Sequence, residues 1–129
     1  MKYKDLLNKI NEDYLKRGAK RISKTDLKKV LQKAQVIIDK AKKNETLGKV
    51  IGDITTLIEL VRDYVKGNYR EVPWYSLSAI AFTLLYIFNP LDLIPDFIPG
   101  LGMIDDAAVV ALCLKMVSKD IVKYREWRG

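Results

Sequence analysis

Residues 89–106 read NPLDLIPDFIPGLGMIDD. The stretch holds three of the chain's four prolines, two glycines and four aspartates, and no basic residue. It lies between two strongly apolar segments. A solvated loop would be polar, whereas this one is apolar and stiff, with carboxylates at set places. Asn89, Ile94 and Ile98 each precede a proline, which disfavours the α conformation at all three. The helix before the block must therefore stop near Phe88. Asn89 can cap a short turn with Pro90 at its first position and Asp92 at its third, where free amides and the positive end of the turn favour a carboxylate. DLIP at 92–95 and DFIP at 96–99 form a tandem unit of an aspartate, two apolar anchors and a rigid bend. Gly100 and Gly102 allow a tight reversal. Asp105 then caps the final helix, with Ile104 and Val109 at the two positions of a hydrophobic staple. The pattern predicts a helical hairpin whose Pro/Asp-rich elbow folds back toward the core.

On the N-terminal side of the block, residues 72–91 carry no charge. That length is borderline for a bilayer span, but the densely apolar part, residues 77–88, is only 12 residues and fits a buried core helix or a re-entrant segment better than a full span. Pro73 suits the start of this helix. On the C-terminal side, the last helix is apolar nearly all round through Leu114. It then turns amphipathic, with Val117, Ile121 and Tyr124 inward and Lys115, Lys119 and Lys123 outward. Cys113 sits in the apolar run and reads as a core residue. One cysteine cannot form an internal disulfide, so a reducing interior is the natural setting.

The first 70 residues read as three more helices. Tyr3, Leu7, Ile10 and Tyr14 form a stripe that ends at Gly18, a residue suited to follow a helix end. Ser23 or Thr25 can cap a second helix with the stripe Leu27, Val30, Leu31, Ala34, Ile37, Ile38 and Ala41. Residues 44–46 break it. Leu47, Ile51, Ile54, Ile58, Val61 and Val65 then alternate in steps of four and three, a heptad-like seam that serves an intramolecular hairpin or a homo-oligomer equally well. Gly67 and Asn68 end the third helix. The fold class expected is all-α: a small bundle of about four long helices, with the elbow between the last two. Residues 1–70 form a basic helical region and residues 71–129 the apolar hairpin.

The run LLYIFNPLDLIPDFIPGLGMIDDAAVVALCL resembles the signature of the YkvA-like family, a bacterial and archaeal domain of unknown function. The resemblance covers residues 74–115, and Asn89, Pro90, Asp92, Ile94, Pro95, Asp96, Ile98, Pro99, Gly102, Asp105 and Asp106 fall on its motif. Relatives often carry Ser in place of Asn89, and both are good caps. The resemblance implies membrane association and no known reaction. It leaves the basic N-terminal region uncovered.

Charge is divided along the chain. Residues 1–70 hold 18 Lys and Arg against 9 Asp and Glu, while residues 72–114 hold four Asp and no Lys or Arg. The absence of histidine removes the commonest general base and the commonest zinc ligand. The N-terminus shows no unbroken apolar run of the secretory type. Asp92, Asp96, Asp105 and Asp106 read first as helix and turn caps. As hard oxygen ligands they are also weak candidates for a divalent cation, which would relieve their mutual repulsion. Their spacing matches no familiar cation loop. Lys16, Arg17, Lys20, Arg21 and Lys24, with Lys28 and Lys29, are candidates for contact with anionic lipid. Trp74, Tyr75, Tyr124 and Trp127 lie near the outer ends of the two hairpin helices and cluster at one level if these are antiparallel. They read as an interfacial aromatic belt, with Trp74, Tyr75 and Trp127 as lipid-contact candidates, or equally as the edge of a soluble core. Nucleic acid is not expected as a partner, because the basic stretch lacks interleaved aromatics and a reader motif. The expected function is a non-catalytic module at a membrane surface or on a hydrophobic partner, cytoplasmic or at the inner face of the cell membrane, with no cofactor. The alternatives are a soluble helical interaction domain with a buried hairpin, and a divalent-metal enzyme using the aspartates.

Overall fold

The computed structural model describes residues 3–89 and 106–129, with side chains described for residues 12–89 and 107–129. These residues form eight helices: α1 (Tyr3–Lys20), α2 (Lys24–Gln32), α3 (Ala34–Lys43), α4 (Glu45–Gly48), α5 (Ile51–Val65), α6 (Trp74–Phe88), α7 (Asp106–Met116) and α8 (Ser118–Arg128). The all-α class holds; the arrangement as four long helices does not. The second and last helices of the sequence reading are each divided once, at Lys33 (φ −103°, ψ 9°) and at Val117 (φ −105°, ψ 14°). Both residues sit near the bridge region of the backbone map. Hydrogen bonds continue across each division, from Ile37 N–H to Lys33 O (2.9 Å) and from Ile121 N–H to Val117 O (2.9 Å). The divisions are kinks without Gly or Pro, so nothing in the local sequence marks them.

Several helix ends follow from local chemistry. Asp26 Oδ2 accepts the Ser23 N–H (2.8 Å) and the Ser23 hydroxyl (3.1 Å), closing a capping box at the start of α2. Asn44 Oδ1 accepts from Thr46 N–H (3.0 Å) and Leu47 N–H (3.1 Å). Leu47 therefore belongs to the short α4, and the seam helix begins at Ile51 rather than at Leu47. Gly67, at φ 83°, ends the turn after α5 in the left-handed region that glycine enters freely. Asn89 is extended, as its following proline demands, and its N–H donates to Leu85 O (2.8 Å).

Gly18 has a different role from the one its spacing suggests. α1 runs past it to Lys20. A Cβ placed on Gly18 would overlap the ring of Phe82, so the glycine marks where α1 crosses α6 in close contact. Tyr14 packs edge-on against Phe82 (5.8 Å between ring centroids) and Tyr86 (6.0 Å) beside that crossing.

α6 is the axis of the fold. Every residue from Ser76 to Ile87 is buried. Helices α1, α2, α3, α5 and α7 all pack on it. The seam of α5 contributes Ile54, Leu57, Ile58, Leu60 and Val61 to the same core. Cys113 Sγ lies 3.7 Å from Ala79 O, and Ser76 Oγ lies 2.5 Å from Asp120 Oδ2. Residue numbers fall along α6 as they rise through α7 and α8, so the pair runs antiparallel, as the hairpin reading requires. At 15 residues, α6 is about 22 Å long at 1.5 Å per residue, short of the ~30 Å hydrocarbon core. Among the described residues no helix is long and apolar enough to cross a membrane.

Candidate functional site

The basic and aromatic residues singled out in the sequence lie within the described residues. Arg17, Lys20 and Arg21, at the end of α1, are exposed, as are Lys24 and Lys28 on α2. Among the described residues none of these five is ion-paired. Lys16 differs: its Nζ lies 2.9 Å from Glu12 Oε1 on the preceding turn. That bond, together with the charge of the same carboxylate, holds the Lys16 ammonium above its ordinary pKa, with smaller contributions from Tyr75 and Asp13. Glu12 is lowered by the same pairing. Lys16 thus lies within electrostatic range of the aromatic start of α6.

At that start, Trp74 is 41% exposed and Tyr75 54% exposed. The chain reaches it through residues 69–73. Tyr69 in this link is buried, its ring 5.1 Å from that of Tyr124 and 4.9 Å from that of Trp127. Tyr124 is buried and donates its hydroxyl to Asp63 Oδ2 (2.5 Å). Burial, and then that bond, raise its pKa. Trp127 covers both tyrosine rings on one side and leaves 47% of its surface exposed. The first turns of α6 and α8 are joined by the Ser76–Asp120 hydrogen bond, and Lys123 Nζ sits 3.6 Å from Glu71 Oε2. Trp74, Tyr75 and Trp127 therefore belong to one end of the molecule. Tyr124, grouped with them in the sequence, is their buried support. Tyr69 was missed by sequence reading, and its position between Gly67 and Pro73 gave no periodic signal. Its hydroxyl is buried without a hydrogen-bond partner among the described residues.

The opposite end of α6 is built from cations. Lys40 Nζ donates to Phe88 O (2.5 Å), and the ammonium groups of Lys33 and Lys40 lie 5.4 Å and 5.5 Å from the Phe88 ring centroid. Positive charge at a helix C-terminus is favourable. The residues that follow are the motif. Pro90, Asp92, Pro95, Asp96, Pro99, Gly102 and Asp105 lie outside the described residues, as do the expected elbow and the Ile104 half of the staple. Asn89 is the C-cap of α6, and Asp106 is the first residue of α7. Among the described residues no three His, Cys, Asp or Glu side chains are grouped to hold a metal ion. Cys113 is buried, and burial pushes its thiol up to about 12.

The class these features define is an all-helical protein with an uncharged central helix enclosed by other helices, of which α1, α2 and α3 are basic. The family described as "Protein of unknown function (DUF1232)" matches residues 76–112, which span α6 from its third residue, the motif block and the first two turns of α7. The chain is 41% identical over 86 residues to the "Uncharacterized membrane protein YkvA" of Bacillus subtilis (strain 168), a match covering 67% of this chain and 81% of that protein. The chain belongs to this YkvA-like family. No solved structure matches it.

Proposed function

We propose that the protein is a non-catalytic helical module that associates with a membrane surface, its exposed cations meeting anionic headgroups. The observation that carries this reading is the exposure of Arg17, Lys20, Arg21, Lys24 and Lys28, none of them ion-paired among the described residues. A basic side chain near an anionic leaflet contributes about 1 kcal/mol, so five held together suffice for a reversible attachment. The net charge of +7 acts in the same direction. The description of the Bacillus subtilis relative as a membrane protein supports it too.

The enclosure of α6 bears on the mode. A helix whose residues 76–87 are all buried against other helices would have to shed that packing to enter lipid. Attachment at the surface keeps the core intact. The same enclosure favours a second reading, a helical interaction domain whose partner is another protein and whose α6 is simply its core.

Flotation of detergent-free protein with neutral and anionic vesicles, at low and high salt, tests the proposal. Binding to anionic vesicles that weakens with salt is the expected result. Binding that ignores both salt and lipid charge would mean insertion of apolar surface instead. No flotation of a monodisperse protein would remove the membrane reading and leave the protein-partner reading.

A further inference from the structure

Among the described residues five large apolar side chains are markedly exposed. Val36 and Val122 stand singly, which is ordinary for a protein surface. Trp74, Tyr75 and Trp127 do not, because the link at 69–73, the Ser76–Asp120 bond and the Tyr69–Trp127 contact place them at one end. The residues that build this end, 66–75 and 115–129, carry seven Lys and Arg against three Asp and Glu. Lys123 is 58% exposed although paired with Glu71. Arg128 is about half exposed although paired with Glu59. Lys16 of α1 is exposed and paired with Glu12, and Tyr75 adds a small electrostatic contribution at its ammonium. The positive end of the α6 dipole points the same way.

We infer that this end is the face the protein turns toward an anionic phospholipid bilayer, with Trp74, Tyr75 and Trp127 at headgroup level and Lys16, Lys123 and Arg128 around them. The inference rests on the membrane-surface reading above and deepens it by fixing the orientation. Two features match this occupant. Rings that carry an apolar body and one polar tip are suited to the boundary between headgroups and acyl chains. The surrounding charge is mainly of one sign, complementary to an anionic leaflet and independent of any particular partner sequence. Tyr69 and Tyr124 brace Trp127 from below through ring contacts of 4.9 Å and 5.8 Å, which limits the ordering cost on binding.

Trp74 and Trp127 are the chain's only tryptophans, so tryptophan emission, excited selectively over the tyrosines, reports this face alone. The full chain is titrated with vesicles of phosphatidylcholine, with and without phosphatidylglycerol, and with lipids brominated at shallow and deep acyl positions. The expected result is a blue shift of the emission and strong quenching by shallow bromines, seen only with anionic vesicles. Trp74→Ala combined with Tyr75→Ala is expected to weaken anionic-vesicle binding about tenfold, at unchanged far-UV circular dichroism. Trp127→Phe, which keeps a ring on Tyr69, serves as the gentler variant and is expected to leave a smaller blue shift, from Trp74 alone. Vesicle binding with no change in emission or quenching would overturn this orientation while leaving the membrane reading standing, with attachment through α2. No vesicle binding at all would overturn both. An emission shift that tracks protein concentration without vesicles would assign the face to a second copy of the chain, and would also overturn the inference.

Discussion

The two ends of α6 meet their surroundings in opposite ways. At the N-terminal end the helix leaves Trp74 and Tyr75 in solvent and is tied down one turn inside, where the buried Ser76 hydroxyl donates to Asp120. At the C-terminal end the last side chain, Phe88, is half covered by Lys33 and Lys40, and its carbonyl accepts from Lys40. The helix carries no charge of its own. Other helices supply a carboxylate near its positive end and ammonium groups at its negative end, the arrangement that the helix dipole favours. The difference lies in burial. The carboxylate tie is partly buried and satisfies a group cut off from water, whereas the ammonium contacts are exposed and replaceable by solvent. An apolar central helix can thus be fixed firmly at one end and loosely at the other.

The largest expected effect lies between the ends, at the crossing that holds α6 laterally. Gly18→Ala introduces a methyl group into the space of the Phe82 ring, which is itself buried. In an open helix this change would stabilise by about 1 kcal/mol. Here it is expected to destabilise by about 1–3 kcal/mol, as overpacking does. Urea denaturation gives the value. Phe82→Leu should relieve the clash, so that the double variant is more stable than the two losses summed. Additive losses would mean that Gly18 is needed for another reason.

Next, and close in size, comes Asp120→Ala at the fixed end. Ser76 is 4% exposed, so its hydroxyl loses a charged acceptor in a place water reaches poorly. A loss of about 1.5–3 kcal/mol is expected, from the worth of hydrogen bonds to charged groups. Ser76→Ala with Asp120→Ala should cost less than Asp120→Ala alone, because no buried group is then left unsatisfied. If the double variant is the worse of the two, the bond does not anchor the helix.

An alkaline titration samples the stretch between these ends. Burial lifts the Cys113 thiol from its ordinary 9.0 to about 12, against a smaller opposing effect of the hydrogen bond to Thr83. The unfolded chain ionises this thiol near 9 and the folded chain only near 12. The stability it contributes is therefore complete below about pH 9 and is lost as pH rises toward 12. Tyr14 and Tyr124, raised from 10.0 chiefly by burial, act in the same direction at higher pH. The urea midpoint should be level near neutrality and fall from about pH 9. Cys113→Ala should remove the part of the fall that starts near 9 and keep the part that starts near 10. A native-state thiol that reacts readily with a maleimide at neutral pH would contradict the burial.

What was legible in the sequence follows from which interactions are local. The start of α2 near Ser23, the end of α6 before Pro90, the inward stripe of α8 and the core position of Cys113 are each set by neighbours a few residues away and are legible in the sequence, although the choice of Ser23 over Thr25 and the capping box with Asp26 are not. The ties at the two ends of α6 join residues 44 and 48 positions apart, so no spacing rule points to them. Gly18 was read as a helix terminator because the local rule is indifferent to a ring arriving from residue 82. The kinks at Lys33 and Val117 carry no Gly or Pro, so no local signal marks them. Of the candidate site, the cations from Lys16 to Lys24 and the rings of Trp74, Tyr75 and Trp127 are exposed. Their common end was foreseen only as a consequence of antiparallel helices, and the bracing by Tyr69 was not foreseen at all.

The smallest effect is expected at the loose end. Lys40→Met keeps an apolar stem near Phe88 and removes the ammonium from the helix C-terminus. Its cost should be about 0.3–1 kcal/mol, the range for an exposed cation at that position. Lys33→Met should cost no more, since Lys33 meets only the ring, at 5.4 Å. Both cations face the same ring, so either can partly serve in place of the other. The double variant is therefore expected to lose more than the sum of the singles. High salt should erase most of this difference and leave the Asp120→Ala loss nearly unchanged, because exposed charges are screened and a buried unsatisfied hydroxyl is not. If Lys40→Met in low salt cost as much as Asp120→Ala, the two ends would be anchored alike. The asymmetry would then have to come from the chain that leaves each end rather than from the contacts made there.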